Sequence, residues 1–166
     1  MAACLLAALI TVAGCGTSQP QKVGMQKTIT LEQARQRVNK YLDEAVSALP
    51  GHPTVIKNDP GAGADDMNCE DEHGQSLGTF QASSTERLGG LDSVSKQTVF
   101  AAMRKWWSAN GFEVVSDNEQ QPQHSSVLTR NRAGYGVTLE HNAQGAFYLS
   151  ASSPCVWRNG TPEPTP

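Results

Sequence analysis

The sequence predicts a single α+β domain, an antiparallel sheet of four to five strands with two helices packed on one face. Residues 31–49 and 93–110 carry apolar side chains at three- and four-residue steps, the period of a helix with one buried stripe. Short stretches between residues 76 and 152 instead alternate apolar and polar side chains. The later ones are separated by turn residues too few for the crossover that parallel strands require. Helix, strand, helix and then hairpin-connected strands is the order such a sheet produces.

Residues 2–13 are apolar apart from Thr11, a run that suits the core of a secretion signal and falls short of the ~20 residues needed to span a bilayer. Val12-Ala13-Gly14-Cys15 closes it with an aliphatic residue, two small ones and Cys. This tetrapeptide resembles a bacterial lipobox. The resemblance implies cleavage between Gly14 and Cys15, removal of residues 1–14, and a diacylglyceryl thioether on the Cys15 sulfur. The protein would then sit on the cell membrane, facing away from the cytoplasm. Two acyl chains on one residue suffice for stable anchoring, at roughly 0.8 kcal/mol per buried methylene. Met1-Ala2-Ala3 departs from the pattern in carrying no Lys or Arg. Residues 15–28 are polar after the Cys, with no apolar period, and read as a flexible tether.

The domain spans residues 29–157. Thr30 with Gln33 forms a capping box, and Leu31, Ala34, Val38, Tyr41, Leu42, Ala45 and Leu49 make the apolar stripe of the first helix, which Pro50-Gly51 ends. Residues 52–74 hold Gly, Pro and many acids without periodicity and read as a long loop. A first strand covers 76–83, Gly89-Gly90 turns, and Asp92 or Ser93 caps the second helix. Asn110-Gly111-Phe112 closes that helix, with Phe112 packing back on Trp107. Trp106 and Trp107 diverge by about 100° on a helix, so one enters the core and the other lies at a rim, a weak candidate for a binding anchor. Strands follow at 112–116, 125–130, 137–141 and 146–152. Val137, Leu139, Phe147, Leu149 and Ala151 should face the helices, and Thr138, Glu140, Tyr148 and Ser150 should face outward, with Tyr148 a second weak contact candidate. Residues 158–166 read as a Pro-rich disordered tail.

A net charge of −3, low aromatic content and the absence of a Lys/Arg run argue against nucleic acid as a partner. Outside the signal and Cys15, only Cys69 and Cys155 remain. In an oxidising compartment a disulfide is the favoured reading over a catalytic or metal-binding role, since neither lies in a Cys-x-x-Cys. Asp65, Asp66, Glu70, Asp71 and His73 form the one dense polar cluster, a weak metal candidate without EF-hand spacing or a zinc ligand set. No cofactor is expected. Gly-x-Ser-x-Gly, the Walker loop, the dinucleotide fingerprint and His-Glu-x-x-His are all missing, so the chain does not read as an enzyme. His52 and His124 read as exposed loop residues, and His141 as packed at the sheet rim.

The lipobox through Cys15, the polar tether, the Leu/Ala-rich first helix, Trp106-Trp107 before Asn110-Gly111-Phe112, and Ser153-Pro154-Cys155-Val156-Trp157 together resemble small actinobacterial lipoproteins of unassigned function. The resemblance covers most of the mature chain and implies an envelope location and a Cys69–Cys155 bridge. It carries over no catalytic residue. The expected role is that of a monomeric, non-catalytic module held to the membrane through Cys15, contacting another envelope protein or a cell-wall component. The alternative is a carrier or sensor for a small ligand or a metal.

Overall fold

A computed structural model describes residues 27–162, so the signal, its cleavage point between Gly14 and Cys15, and Cys15 itself lie outside the described residues. Two helices and seven strands follow in the order α1 (Leu31–Ala48), β1 (Thr54–Ile56), β2 (Gly63–Glu70), β3 (Ser76–Gly89), α2 (Lys96–Ala109), β4 (Phe112–Asp117), β5 (His124–Asn131), β6 (Gly136–Asn142) and β7 (Phe147–Ser152). The fold is α+β with a fully antiparallel sheet.

Helix α1 starts where its cap chemistry dictates. Thr30 Oγ1 accepts from Gln33 N, and Gln33 Oε1 accepts from Thr30 N, which satisfies two otherwise orphaned amides. Leu31, Ala34, Val38, Leu42 and Ala45 are buried along one stripe, as the three- and four-residue spacing requires. Helix α2 is capped by Ser95 rather than by Asp92 or Ser93, because residues 91–94 first form a turn closed by Val94 N donating to Leu91 O. Gly111 ends α2 in the left-handed conformation (φ 72°) that glycine adopts without a Cβ penalty.

The sheet runs β1-β3-β7-β6-β5-β4, with β2 also paired to β3. Strand β3 is the spine. Its last residues pair with β1, residues 76–85 pair with β2, and residues 83–88 pair with β7 on the opposite edge. Alternation places Ala82, Leu88, Val127, Val137, Leu139, Phe147, Leu149 and Ala151 in one core cluster with the buried stripes of α1 and α2. Both helices therefore cover a single face, α1 over β3 and β7, α2 over β4 and β6. Thr138, Glu140, Tyr148 and Ser150 project from the other face, as alternation predicts.

Three expectations are corrected. The sheet has seven strands rather than four to five, because the supposed loop 52–74 supplies β1 and β2 and the strand expected to stop at residue 83 continues to Gly89. Phe112 stacks on Trp106, ring centroids 5.5 Å apart, rather than on Trp107. The tail is held as far as Gly160: Thr28 N donates to Gly160 O (3.0 Å), Leu31 N to Arg158 O (3.2 Å), and Trp157 N to Thr28 Oγ1 (2.9 Å). The chain thus enters and leaves the domain side by side, at the end of the sheet where β7 finishes.

Candidate functional site

Each residue singled out by the sequence has a definite place where the structure describes it. Cys69 and Cys155 are disulfide-bonded, Cα atoms 6.2 Å apart, joining β2 to the segment after β7. Trp107 is in the core at 1 % exposure and Trp106 is covered at 9 %, so neither is an exposed anchor. The rim position expected of one of the two falls to Trp106, which Phe112 from the start of β4 covers.

The acidic cluster is spread along strand β2 and the turn after it, not gathered. Asp65 pairs across the sheet with Ser83, while Asp66, opposite Ala82, turns to the helix side and takes a bidentate bond from Arg35 of α1. Asp71 shapes the hairpin turn by accepting from the backbone N–H of His73 and Gln75. Glu70 and His73 are exposed. Among the described residues, no three His, Cys, Asp or Glu side chains stand where they could hold one metal ion.

Polar side chains do converge on the open face of the sheet, around Tyr148. The turn after β1 begins with Asn58 in the left-handed conformation (φ 63°), which Asn tolerates. Asp59 follows, its side chain only 5 % exposed. It accepts from Arg87 Nη1 (2.7 Å), from Gly61 N (2.8 Å) and from the Tyr148 hydroxyl (3.2 Å). Arg87 and Tyr148 are cross-strand partners on β3 and β7, so the sheet register delivers both to one carboxylate. The Arg87 bond, then the Gly61 amide, hold the Asp59 carboxyl below the ordinary carboxylate range. Burial, then the neighbouring Asp59, push the Tyr148 phenol up. A Cβ on Gly61 would lie 3.1 Å from Tyr148 Cε1 and 3.2 Å from Asp59 Oδ1, so a side chain at residue 61 would crowd both the ring and the carboxylate.

Beside this lock lies a cleft of about 390 Å³, walled by Gly61, Tyr148, Glu140 and His124. Thr85 and Ser150 form its floor, their hydroxyl oxygens 2.9 Å apart. His124 Nε2 stands 3.8 Å from Glu140 Oε2 across β5 and β6. Asn142 closes one side, its Oδ1 engaged by the N–H groups of Gln144 and Ala146 in the β6–β7 turn. The outward alternation of β6 and β7 points to Glu140, Tyr148 and Ser150. Thr85 and Arg87 escape sequence reading because β3 is longer than its alternation suggests, and Asp59 because nothing local marks residues 57–62 as folding back onto the sheet.

His141 is on the covered side, packed on Phe147 with ring centroids 4.5 Å apart, and burial, then Lys96, lower its pKa. No helix among the described residues is long and apolar enough to cross a membrane. Comparison with protein-family models, with curated proteins and with solved structures finds no match to this chain.

Proposed function

We propose that this chain is a lipid-anchored, extracytoplasmic, non-catalytic binding module that uses the open face of its sheet to contact an envelope protein or a cell-wall component. The lipobox-like Val12-Ala13-Gly14-Cys15 supports the anchor and the location. The observation that carries the binding role is the placement of the cleft. Thr28, where a tether would join the domain, bonds to Trp157 and Gly160 beyond the end of β7, whereas Tyr148 lies near the start of that strand. Tyr148 and Ser153 are separated by about 17 Å of extended chain at ~3.3 Å per residue. A tethered domain therefore turns the cleft away from its attachment point. The Asp59–Arg87–Tyr148 lock supports recognition in a second way, since it holds the cleft wall rigid before any partner arrives. A carrier or sensor of a small ligand is the neighbouring reading, supported by the polar lining of the cleft between the 57–62 turn and the strands.

A photoreactive residue at Thr138 or Ser126 of the open face, and at Gln36 or Lys40 of α1, tests the reading in intact cells. Adducts to envelope material are expected from the first pair and not from the second. Equal labelling from both pairs, or none from the open face, overturns it. The intact mass of membrane-extracted protein tests the anchor separately: a chain starting at Cys15 and carrying a diacylglyceryl group is expected, and an unmodified Cys15 overturns that part.

A further inference from the structure

We propose that the Cys69–Cys155 disulfide is a reducible latch on strand β2, opened by a dithiol from the Cys155 side, which frees β2 while the rest of the sheet stays folded. The two segments that the bond joins are held very differently. The segment carrying Cys155 keeps its place without the sulfur. Phe80 and Val156 exchange two backbone hydrogen bonds of 2.8 and 2.9 Å, Ser153 N donates to Ala82 O (2.8 Å), and Ser153 Oγ accepts from Ala82 N (3.0 Å). Val156 and Trp157 are buried, and Trp157 N donates to Thr28 Oγ1. Strand β2 has far less. Cys69 is its one buried residue, Asp66 is half-buried and the other six are exposed. A strand that buries so little apolar surface gains little beyond its ladder. That ladder runs to β3 alone among the described residues, and its register breaks between Asn68 and Glu70, where Cys69 stands. Gly63, Ala64, Asp65, Asp66 and Asn68 disfavour extended structure. The bond from Arg35 to Asp66 is a part-exposed pair of modest strength. Cutting the disulfide therefore removes the one cross-link of β2 and leaves the Cys155 segment in place.

The two cysteines also differ in access. Cys155 lies at an exposed position, whereas Cys69 is 7 % exposed. Thiol–disulfide exchange depends on which sulfur the incoming thiolate can reach, and here that is the sulfur of Cys155. A bond forms from the thiolate to Cys155 Sγ, the Sγ–Sγ bond breaks, and Cys69 Sγ leaves with the electron pair and takes up a proton. The second thiol of the reductant then attacks its own first sulfur and releases Cys155. One dithiol is oxidised to a disulfide as the two cysteines become thiols, two electrons and two protons in all. A dithiol protein of the Cys-x-x-Cys kind has the required chemistry. Once β2 lifts, residues 76–85 of β3 lose the strand that pairs with them, and their backbone groups on that side turn to solvent.

The experiment is hydrogen–deuterium exchange of the full chain in detergent, with the disulfide intact and after reduction by dithiothreitol. Oxidised, residues 63–70 should be protected. Reduced, they should exchange close to the rate of an unfolded chain, while β6 and β7 keep protection at least about tenfold higher, the pattern of local rather than global opening. Cys69→Ser with Cys155→Ser should reproduce the reduced pattern without reductant. Arg35→Gln should leave β2 protected as long as the disulfide is intact. The direction of attack is read by exposing the protein briefly to glutathione, alkylating free thiols and mapping the products: glutathione should be found on Cys155 and the alkyl group on Cys69. Protection of β2 that survives reduction overturns the proposal, as does a β2 already unprotected in the oxidised protein or freed by Arg35→Gln alone. Equal exchange of β2, β6 and β7 after reduction, the result also expected if the reduced chain unfolds, shows a staple for the whole domain and overturns it too. Glutathione mapped to Cys69 overturns entry from the Cys155 side.

Discussion

The two faces of the sheet are built from alternate residues of the same strands, yet they treat a buried carboxylate in opposite ways. On the covered face, Glu86 of β3 lies opposite Leu149, with Oε2 buried and unpartnered, and burial together with Asp43 of α1 raises its pKa. One residue along the same strand, on the open face, Arg87 reaches Asp59, which collects three hydrogen bonds and has a lowered pKa. The covered face tolerates Glu86 because the surrounding apolar packing outweighs a local penalty. The open face has no such packing and instead fixes its geometry through polar groups gathered on Asp59, with the buried Arg87 Nε alone of that set left without a partner.

The largest effect that bears on this contrast comes from the tie that both faces share. Replacing Cys69 and Cys155 together by Ser removes a link across a sequence separation of 86 residues, and the chain-entropy model places the loss at about 4 to 5 kcal/mol; urea unfolding with and without reductant checks it. Next, Leu139→Ala should cost about 2 to 5 kcal/mol, since its side chain is fully buried among the helices. Its neighbour Thr138→Ala, projecting from the open face, should stay within about 0.5 kcal/mol. Comparable losses from the two would break the distinction between the faces.

Smaller changes act through pH. The folded pKa of Glu86 is raised, so the native state holds its proton more tightly than the unfolded chain does. Its contribution to stability is present in acid and is lost as pH rises through the raised pKa. Glu86→Gln should therefore raise the thermal midpoint at neutral pH and flatten the slope in that window. Asp59 has the opposite sign: its lowered pKa gives stability present above the ordinary carboxylate value and lost as pH falls through the lowered one. Asp59→Asn should abolish that acid-side slope. It should also release the Tyr148 phenol toward its ordinary titration range, read by ultraviolet absorbance.

Much of the covered face is legible in the sequence. The stripe from Leu31 to Ala45, the alternation of Val137 and Leu139, and the Asn-started turns at 131 and 142 all act locally, through periodicity and through Asn side chains that accept from their own turn amides. The β1–β2 region is not legible for a physical reason. Gly63-Ala64-Asp65-Asp66-Met67-Asn68 contains residues that disfavour strands, and what holds them extended is distant: pairing with β3, the Arg35–Asp66 bond and the disulfide. Thr54-Val55-Ile56 has the right composition for a strand but is too short for its pattern to separate from a loop. The cleft inherits that limit, because its Glu140 and Tyr148 walls follow from alternation while Asp59 and Gly61 come from the segment that only long-range contacts shape.

The adjacency of Thr28 and Gly160, bridged by a 3.0 Å backbone hydrogen bond, means that the domain begins and ends at one spot. Such a unit behaves as a plug-in cassette. It could be spliced between two residues of a host loop without prying that loop open, or strung into tandem copies on short connectors. Joining its two ends and opening the chain instead at the exposed Gly74 of the β2–β3 turn should yield a circular permutant whose Cys69–Cys155 staple still closes across the same strands.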